Sequence, residues 1–529
     1  MDKHSDESNN CMRHLALFFS LFIIFIADIA IAQQPSPVKV EEGLLQGTKE
    51  DGVAVYLGIP YAAPPVGELR WRAPQPPAHW KGVRKADKFS ANPMQIMVKE
   101  LGPWTPEYQP QGVISEDCLY LNIWTAAKSP KEKRPVVIYI PGGAFTGGSG
   151  NCPVYNGENL AKKGLVVVTI NYRVGVIGFL ALPELTKESK HNSSGNYGLL
   201  DQVAALKWVH KNISAFGGDP NQITIMGQSA GASSVNYLTA SPLVKGLFIR
   251  AIAESGTGDE VGPRDSLESM EKLGMKFTEA IGARTLAELR AMPAAKLIDI
   301  STKEEFHFLP IVDGWFLPKS ADEIFKEGKQ NDVATITGWV ADEGSFNNNY
   351  GKIPEAEFRK QVRQQAGAQA DEILKLYPAS TQEEAVISQK ELARDISVVS
   401  MYLWGLKREE TCKTKLYTYL FTHPQPGTTR ERYQVFHSSE LPYVFDNLNQ
   451  SLRPWTAEDN NIEQTMTRYW INFISTGNPN GKGLPEWLSF RKSPPETMEL
   501  GDKMEPIPIT TMEKFEVLKK LLQESENKN

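Results

Sequence analysis

The chain has 529 residues, with 63 acidic and 57 basic side chains, a net charge of −6 at pH 7 and a pI near 5.9. This acidic balance argues against a nucleic-acid-binding protein, which needs a basic surface for the phosphate backbone. The one basic cluster, residues 128–134, lies just before a predicted strand and is interpreted as a solvated loop.

The N-terminus has the pattern of an export signal. Lys3 and Arg13 precede an apolar run over residues 15–27, and residues 30–32 form an A-x-A end. The run is shorter than the roughly 20 apolar residues of a membrane-spanning helix. An uncleaved anchor is the competing interpretation, and Asp28 weighs against it. We therefore expect cleavage and a periplasmic or secreted protein.

Processing at that point leaves residues 33–529, which we expect to form a single domain with no later membrane span. Only Cys118, Cys152 and Cys412 remain, so at most one intrachain disulfide can form. Few cysteines in an exported protein favour a bacterial source. The sequence has no metal-binding motif, and no metal or cofactor is expected.

The first candidate for chemistry follows a predicted buried strand at residues 136–140. The strand ends in the glycine-rich segment 141–145, where backbone N–H groups can converge on a negative oxygen. We assign such an oxyanion hole to the amides of Gly143 and Ala144, joined by that of Ala230. An ordinary glycine-rich turn explains the segment equally well when it is taken alone.

A nucleophile elbow is predicted at Gly227-Gln228-Ser229-Ala230-Gly231. The pentapeptide lies between a β-like run at 223–226 and a helix-forming stretch at 232–238, the context in which G-x-S-x-G presents a reactive serine. Flanking glycines allow the close backbone approach that such a turn requires. Ser229 is the predicted nucleophile, and it needs a base and an orienting acid.

In α/β-hydrolases the acid follows the serine along the chain, and the histidine comes last. A predicted strand at 333–338 leads into a loop carrying Asp342 and Glu343. Spacing does not choose between these two carboxylates, and an ordinary acidic loop is the alternative for both.

The base is narrowed by chain order. Of eight histidines, only His423 and His437 follow the candidate acids. His423 ends a strand-like run and precedes a proline, which suits a structural role. His437 lies in a polar segment typical of a loop that opens into a helix, and loops on a rigid sheet often carry catalytic groups. We select His437.

Beyond these parts, the chain resembles the type-B carboxylesterases, the family that includes the cholinesterases and many bacterial and insect esterases. The similarity runs from about Val38 to past Trp487. The matching segments are residues 58–62, 69–71, 116–124 (EDCLYLNIW), 171–173, 195–202, 216–220, 437–445 and 477–479.

The resemblance implies an α/β-hydrolase fold with a central, mostly parallel β-sheet flanked by helices and large loop insertions. It places the triad acid on the second residue of D-E-G, which is Glu343, and it supports His437. The oxyanion donors Gly143, Ala144 and Ala230 carry over as well. Ser255 falls where the family often keeps a serine behind the triad.

Two departures from the family pattern bear on the site. Pro141 stands where many relatives have histidine or tyrosine, which affects the pocket rim rather than the backbone donors. Cys118 commonly pairs with a cysteine near the position of Met94, so the loop between them lacks its usual disulfide. In related enzymes this loop forms a lid or gorge wall. Its Trp104 does not align with the choline-binding tryptophan, so choline esters have little support.

The sequence thus predicts a serine hydrolase that cleaves a small-molecule carboxylic ester through an acyl-enzyme. A catalytically inactive, adhesion-type relative is the main alternative, although every catalytic part is present. A hydrolase specialised for amides, or for a multi-ester natural product or xenobiotic, is a second alternative.

Overall fold

The protein is represented by a computed structural model that describes residues 35–256 and 265–526. The predicted signal peptide, residues 1–32, lies outside the described residues.

Eleven of the strands in the described residues form one large sheet. From one edge to the other the strand order is β14-β13-β12-β11-β10-β9-β7-β8-β6-β4-β3, and β1, β2 and β5 form a separate small sheet. The bounds are β1 Val38–Val40, β2 Gly43–Gln46, β3 Thr48–Glu50, β4 Val53–Pro60, β5 Val83–Lys85, β6 Tyr120–Thr125, β7 Arg134–Ile140, β8 Val166–Ile170, β9 Gly218–Gln228, β10 Arg250–Glu254, β11 Ala334–Val340, β12 Leu416–Phe421, β13 Glu496–Leu500 and β14 Pro506–Pro508.

The centre of the large sheet is parallel and buried on both faces. All pairings from β13 across to β8 are parallel, whereas β14 at one edge and β6, β4 and β3 at the other pair antiparallel. Every residue of β8 and β12 is buried. Near-continuous apolar strands of this kind are typical of a parallel sheet covered by helices on both sides.

Helices cover both faces of this sheet. Their bounds are α1 Glu158–Lys162, α2 Gly175–Phe179, α3 Pro183–Glu188, α4 Tyr197–Asn212, α5 Ala230–Ala240, α6 Leu267–Ile281, α7 Leu286–Ala291, α8 Ala294–Lys303, α9 Ala321–Lys326, α10 Glu355–Ala366, α11 Ala370–Leu376, α12 Gln382–Thr411, α13 Arg430–Tyr433, α14 Leu441–Val444, α15 Ala457–Thr476 and α16 Met512–Glu526.

The pleat of β7 shows how the two layers are filled. Ile138 packs in one hydrophobic cluster with Val235 of α5, and its neighbour Tyr139 packs in a second cluster with Phe473 of α15. Successive side chains of a strand point to opposite faces, so these helices lie on opposite sides of the sheet. The predicted α/β-hydrolase architecture is confirmed.

The chain returns through this parallel core so that several connecting loops meet at one edge. The loops that follow β7, β9, β11 and β12 all leave the carboxyl ends of neighbouring parallel strands. This is where ligand sites of open α/β sheets form. Among the helices described, none is long and apolar enough to cross a membrane.

Candidate functional site

Ser229 lies on the sharp turn between β9, which ends at Gln228, and α5, which begins at Ala230. Its backbone has φ 60° and ψ −124°, a combination that costs about 1–3 kcal/mol in a residue with a side chain. Glycine is required at 231, because a Cβ there would lie 2.0 Å from the carbonyl oxygen of Ile140. The turn has the geometry expected of an elbow, and Ser229 lines a cavity.

The glycine-rich loop after β7 forms another part of that cavity wall. Gly143 and Ala144 line the cavity with φ of 121° and 53°. The carbonyl of Gly143 accepts a hydrogen bond from the Gly147 amide at 2.9 Å, which closes a tight turn. Ala230 is buried at the start of α5. Across residues 35–256 and 265–526, the amides of Gly143, Ala144 and Ala230 donate no hydrogen bond, so they remain free for an anionic oxygen.

Glu343 and His437 are brought together from loops after β11 and β12. Nδ1 of His437 makes a very short contact with Oε2 of Glu343. The other oxygen, Oε1, accepts hydrogen bonds from the Val340 amide at 2.9 Å and from the Ser255 hydroxyl at 2.6 Å. Three donors thus fix the carboxylate, which in turn fixes the plane of the imidazole.

The adjacent Asp342 points elsewhere. Its Oδ1 accepts a hydrogen bond from the Tyr350 hydroxyl at 2.8 Å, and its Oδ2 accepts one from the Val435 amide at 3.3 Å. The two carboxylates that spacing left undecided therefore have different partners, and only Glu343 contacts the imidazole of His437.

The electrostatic surroundings of His437 favour its protonated form. Burial of the ring acts to lower the pKa of His437. The negative charge of Glu343 and its hydrogen bond outweigh this effect, Glu440 adds to them, and the pKa lies above its usual value of 6.5. A base with a raised pKa is a better proton acceptor, provided that it is unprotonated at the working pH.

Two further carboxyl groups are fully buried behind this pair. Burial raises the pKa of Glu254 to about 8, although the Trp470 indole N–H donates to its Oε1 at 2.9 Å. Burial, followed by the charges of Glu254 and Glu343, raises the pKa of Glu440 well above its usual range. Ser255, predicted to stand behind the triad, lies 2.6 Å from Glu343 and 3.5 Å from Glu440. It therefore connects the two glutamates.

Three polar residues near His437, which sequence reasoning did not identify, make four contacts around it. The amide nitrogen of Gln228 lies 3.2 Å from the imidazole Nε2, and the hydroxyl of Ser438 donates to Gln228 Oε1 at 3.0 Å. The Trp104 indole N–H donates to the His437 carbonyl at 3.1 Å and to the Ser438 Oγ at 3.3 Å. Within the described part of the chain, the hydroxyl of Ser229 has no hydrogen-bond partner. Of these three residues, only Gln228 could have been noticed in the sequence, because it directly precedes the predicted nucleophile.

The cavity has a volume of about 1120 Å³ and is largely apolar. Ser229, Glu343 and His437 all line it. Its apolar walls come from Met94, Ile96, Val98, Leu101, Trp104, Val176, Ile298, Phe306, Phe308 and Phe346. A space of this size accommodates a drug-sized organic molecule.

The loop between Met94 and Cys118 supplies much of that wall without a disulfide. Cys118 is a buried free thiol, as Cys152 is, and Cys412 is also unpaired. Backbone hydrogen bonds close the base of the loop instead, from the Asn92 amide to the Val113 carbonyl at 2.8 Å and from the Ser115 amide back to the Asn92 carbonyl at 2.9 Å.

Arg453 fastens the middle of the same loop to the body of the protein. Its guanidinium donates to the Pro103 carbonyl at 3.3 Å and to the Thr105 hydroxyl at 3.1 Å. Trp104, between these two contacts, is thereby held against His437.

The remaining histidine candidate lies in a different polar cluster. Both ring nitrogens of His423 bind carboxylates, Nε2 that of Asp459 at 3.0 Å and Nδ1 that of Asp502 at 2.5 Å. This arrangement ties the end of β12 to the start of α15. Among the described residues, no group of three or more His, Cys, Asp or Glu side chains is placed to hold a metal ion.

Comparison with known proteins gives a family match over nearly the whole chain. The model described as the carboxylesterase family matches residues 34–519. A fumonisin B1 esterase of Sphingopyxis macrogoltabida is 36% identical over 492 residues, covering 89% of this chain and 88% of the relative. A para-nitrobenzyl esterase of Bacillus subtilis is 33% identical over 491 residues, covering 88% of this chain and 95% of the relative.

Solved structures agree with these matches. A carboxylesterase of Geobacillus stearothermophilus superposes with a TM-score of 0.78 at 33% identity, covering 92% of this chain and all of the other. A PNB esterase superposes with a TM-score of 0.77 at 31% identity, covering 91% and 99%.

Proposed function

Because the chain belongs to the carboxylesterase family and is a carboxylic ester hydrolase, we propose that Ser229, His437 and Glu343 are its catalytic triad. Ser229 is the nucleophile, His437 the general base and Glu343 the group that orients and charges the imidazole. The amides of Gly143, Ala144 and Ala230 form the oxyanion hole.

In the first half-reaction, Ser229 Oγ attacks the ester carbonyl while its proton moves to Nε2 of His437. The carbonyl electrons move onto the oxygen, and the three unpaired amides stabilise that charge. The tetrahedral intermediate then collapses, the bond to the alcohol oxygen breaks, and His437 returns the proton to the leaving alcohol.

In the second half-reaction, water replaces the alcohol. His437 takes a proton from the water as its oxygen attacks the acyl-enzyme, and the proton then goes to Ser229 Oγ as the acid leaves. The products are one acid and one alcohol, and the enzyme is regenerated. No cofactor enters either step.

The observation that carries this proposal is the contact between His437 Nδ1 and Glu343 Oε2 at the wall of the cavity that Ser229 also lines. With Nδ1 protonated towards a carboxylate, the lone pair of the neutral imidazole lies on Nε2, where a general base needs it. The Ser229 hydroxyl, which has no hydrogen-bond partner in the described residues, lines the same cavity as His437 and supplies the proton.

The substrate class follows from the cavity walls. We propose esters whose acyl or alcohol part is bulky and apolar, such as aryl esters and medium-chain acyl esters, because the large cavity is lined by aliphatic and aromatic side chains. The para-nitrobenzyl esterase among the relatives is named for an ester of that kind. Export through residues 1–32 is part of the same proposal.

The test is Ser229→Ala, measured with p-nitrophenyl butyrate and with a fluorophosphonate probe. We expect turnover to fall by about four or more orders of magnitude and labelling to disappear, because no acyl-enzyme forms. Ser233→Ala, one turn further along α5, is the matched control and should keep activity and labelling. Undiminished turnover in Ser229→Ala would reject the assignment, and a wild-type chain that neither labels nor turns over esters would favour a binding protein.

A further inference from the structure

The polar contacts around His437 form a chain of hydrogen bonds that run in one direction, from Trp104 to the imidazole. The Trp104 indole has a donor and no acceptor. Its contact with Ser438 Oγ at 3.3 Å therefore makes that oxygen the acceptor, and the single Ser438 proton is free for Gln228 Oε1 at 3.0 Å. This leaves the Gln228 amide nitrogen, a donor, facing His437 Nε2 at 3.2 Å.

The other end of the chain imposes the same direction. Glu343 accepts from the Val340 amide and the Ser255 hydroxyl through Oε1, so its Oε2 is the acceptor for His437 Nδ1. A proton on Nδ1 makes Nε2 the acceptor in neutral imidazole. The Glu343 end therefore makes Nε2 an acceptor, and the hydrogen bonds that begin at Trp104 present a donor to it.

We propose that Gln228, backed by Ser438 and Trp104, is a positioning residue that holds His437 in its base-competent tautomer in the substrate-free enzyme. The proposal rests on the assignment of His437 as general base. When an ester binds, the Ser229 hydroxyl takes the place of the Gln228 amide at Nε2, an exchange of one hydrogen bond for another.

An amide at 228 also limits the negative charge around the imidazole. The charged or titratable groups that act on His437 are Glu343, from the loop after β11, and Glu440, from its own loop. A carboxylate at 228 would accept a hydrogen bond from protonated Nε2, whereas the amide N–H faces it with a second donor. Gln228 thus opposes formation of the imidazolium that the two glutamates favour.

This series of hydrogen bonds begins at Trp104 on the cavity wall, and it therefore links that wall to His437. Trp104 belongs to the loop of residues 94–118 and stacks edge-on to His437 with ring centroids 6.3 Å apart. When this loop packs against His437, the Trp104 indole supplies the donor to Ser438, whose hydroxyl in turn donates to Gln228. Loss of the indole N–H would free the Gln228 amide to turn its oxygen towards Nε2.

The decisive variant is Gln228→Glu, with kcat/KM measured against pH. We expect the acidic limb to move to higher pH by about one unit, a tenfold rise in the proton affinity of His437. Gln109→Glu is the matched control, because Gln109 lines the same cavity but has no contact with the imidazole. It should shift the limb by less than half as much.

A second measurement is independent of turnover. In protein labelled with ¹⁵N-histidine, the His437 signals, assigned by comparison with His437→Gln, should show a protonated Nδ1 and an unprotonated Nε2 at high pH. Trp104→Phe keeps an aromatic ring and loses the donor, and we expect it to raise the His437 titration midpoint in the same direction as Gln228→Glu.

The inference is overturned if neither variant moves the His437 titration, or if the wild-type imidazole carries its neutral-state proton on Nε2. Failure of the catalytic assignment is distinguishable, because that outcome appears as activity in Ser229→Ala while the ¹⁵N titration still reports on the chain. If Gln228→Glu does not fold, Trp104→Phe and the wild-type tautomer decide the question.

Discussion

Replacing Glu343 by glutamine tests the orienting acid with the smallest change of shape. The new side chain could still accept from the Val340 amide and the Ser255 hydroxyl through its remaining oxygen. Its NH₂ group, however, would face His437 Nδ1, where the native Oε2 accepts a hydrogen bond. Nδ1 would then become the acceptor, and the ring proton would move to Nε2.

An imidazole protonated on Nε2 cannot remove the proton of Ser229. The same substitution of acid by amide in a serine protease triad lowers kcat by about 10⁴, which corresponds to about 5.4 kcal/mol of transition-state stabilisation at about 1.36 kcal/mol per decade. We expect a loss of this order in kcat/KM for p-nitrophenyl butyrate, with little change in melting temperature.

Asp342→Asn is the matched control for the same chemical change one residue earlier. Asparagine keeps an acceptor for the Tyr350 hydroxyl and loses the weaker contact with the Val435 amide at 3.3 Å. The cost is about 1 kcal/mol of folding stability, and activity should stay within a few-fold of wild type. If Asp342→Asn were the inactive variant and Glu343→Gln the active one, the acid would be Asp342 and the reasoning would be wrong.

Three further predictions concern the same site. Ser255→Ala removes the 2.6 Å hydrogen bond to Glu343. A hydrogen bond to a charged group contributes about 1.5–3 kcal/mol, so kcat/KM should fall by about 10- to 100-fold. An unchanged kcat/KM would show that Ser255 does not hold the acid. Gly231→Ala places a Cβ 2.0 Å from the Ile140 carbonyl oxygen, and the strain, about 1–3 kcal/mol or more, should lower the melting temperature measured by calorimetry; a wild-type melting temperature would contradict the close approach. His437 cannot act as a base once it is protonated, and its pKa is raised above 6.5. As the pH falls, kcat/KM should therefore decline along a limb centred above 6.5. A midpoint below 6.5 would contradict the role of the neighbouring glutamates.

The parts of the fold that rest on local pattern could be predicted from the sequence. The strand-like run before His423 is the strand Leu416–Phe421, and the strands expected at 136–140 and 333–338 lie at Arg134–Ile140 and Ala334–Val340. Buried parallel strands are short apolar runs bounded by polar or glycine-rich loops, so composition alone indicates them. The helix after Ser229 was predicted for the same reason, although its first turn begins two residues earlier, at Ala230.

The order of the residues along the chain identified the main groups of the site, while the local pattern did not decide between Asp342 and Glu343. The order of serine, acid and histidine narrowed the base to two candidates, and the structure places His437, rather than His423, beside Glu343. The pair of carboxylates at 342 and 343 could not be resolved by spacing, because their orientations depend on which loop each side chain meets.

Contacts between distant loops were beyond prediction. Trp104 and His437 are separated by 333 residues, and nothing in the periodicity of residues 94–118 indicates which surface this loop covers. The direction of the Gln228 amide likewise depends on Ser438 and Trp104 together. Such contacts follow from loop length and tertiary packing, which a single sequence does not encode in any local pattern.

The base of the loop over residues 94–118 is closed by backbone hydrogen bonds between Asn92, Val113 and Ser115, while Cys118 stays an unpaired thiol. This part of the cavity wall therefore forms without an oxidant during biosynthesis and without an isomerase to correct a mispaired disulfide. A thiol reductant has no disulfide to break in this loop. An enzyme made in a reducing host cell should therefore have the same cavity wall as one matured outside it. Without a covalent tether, the span also depends on temperature and denaturant in the way that any non-covalent contact does.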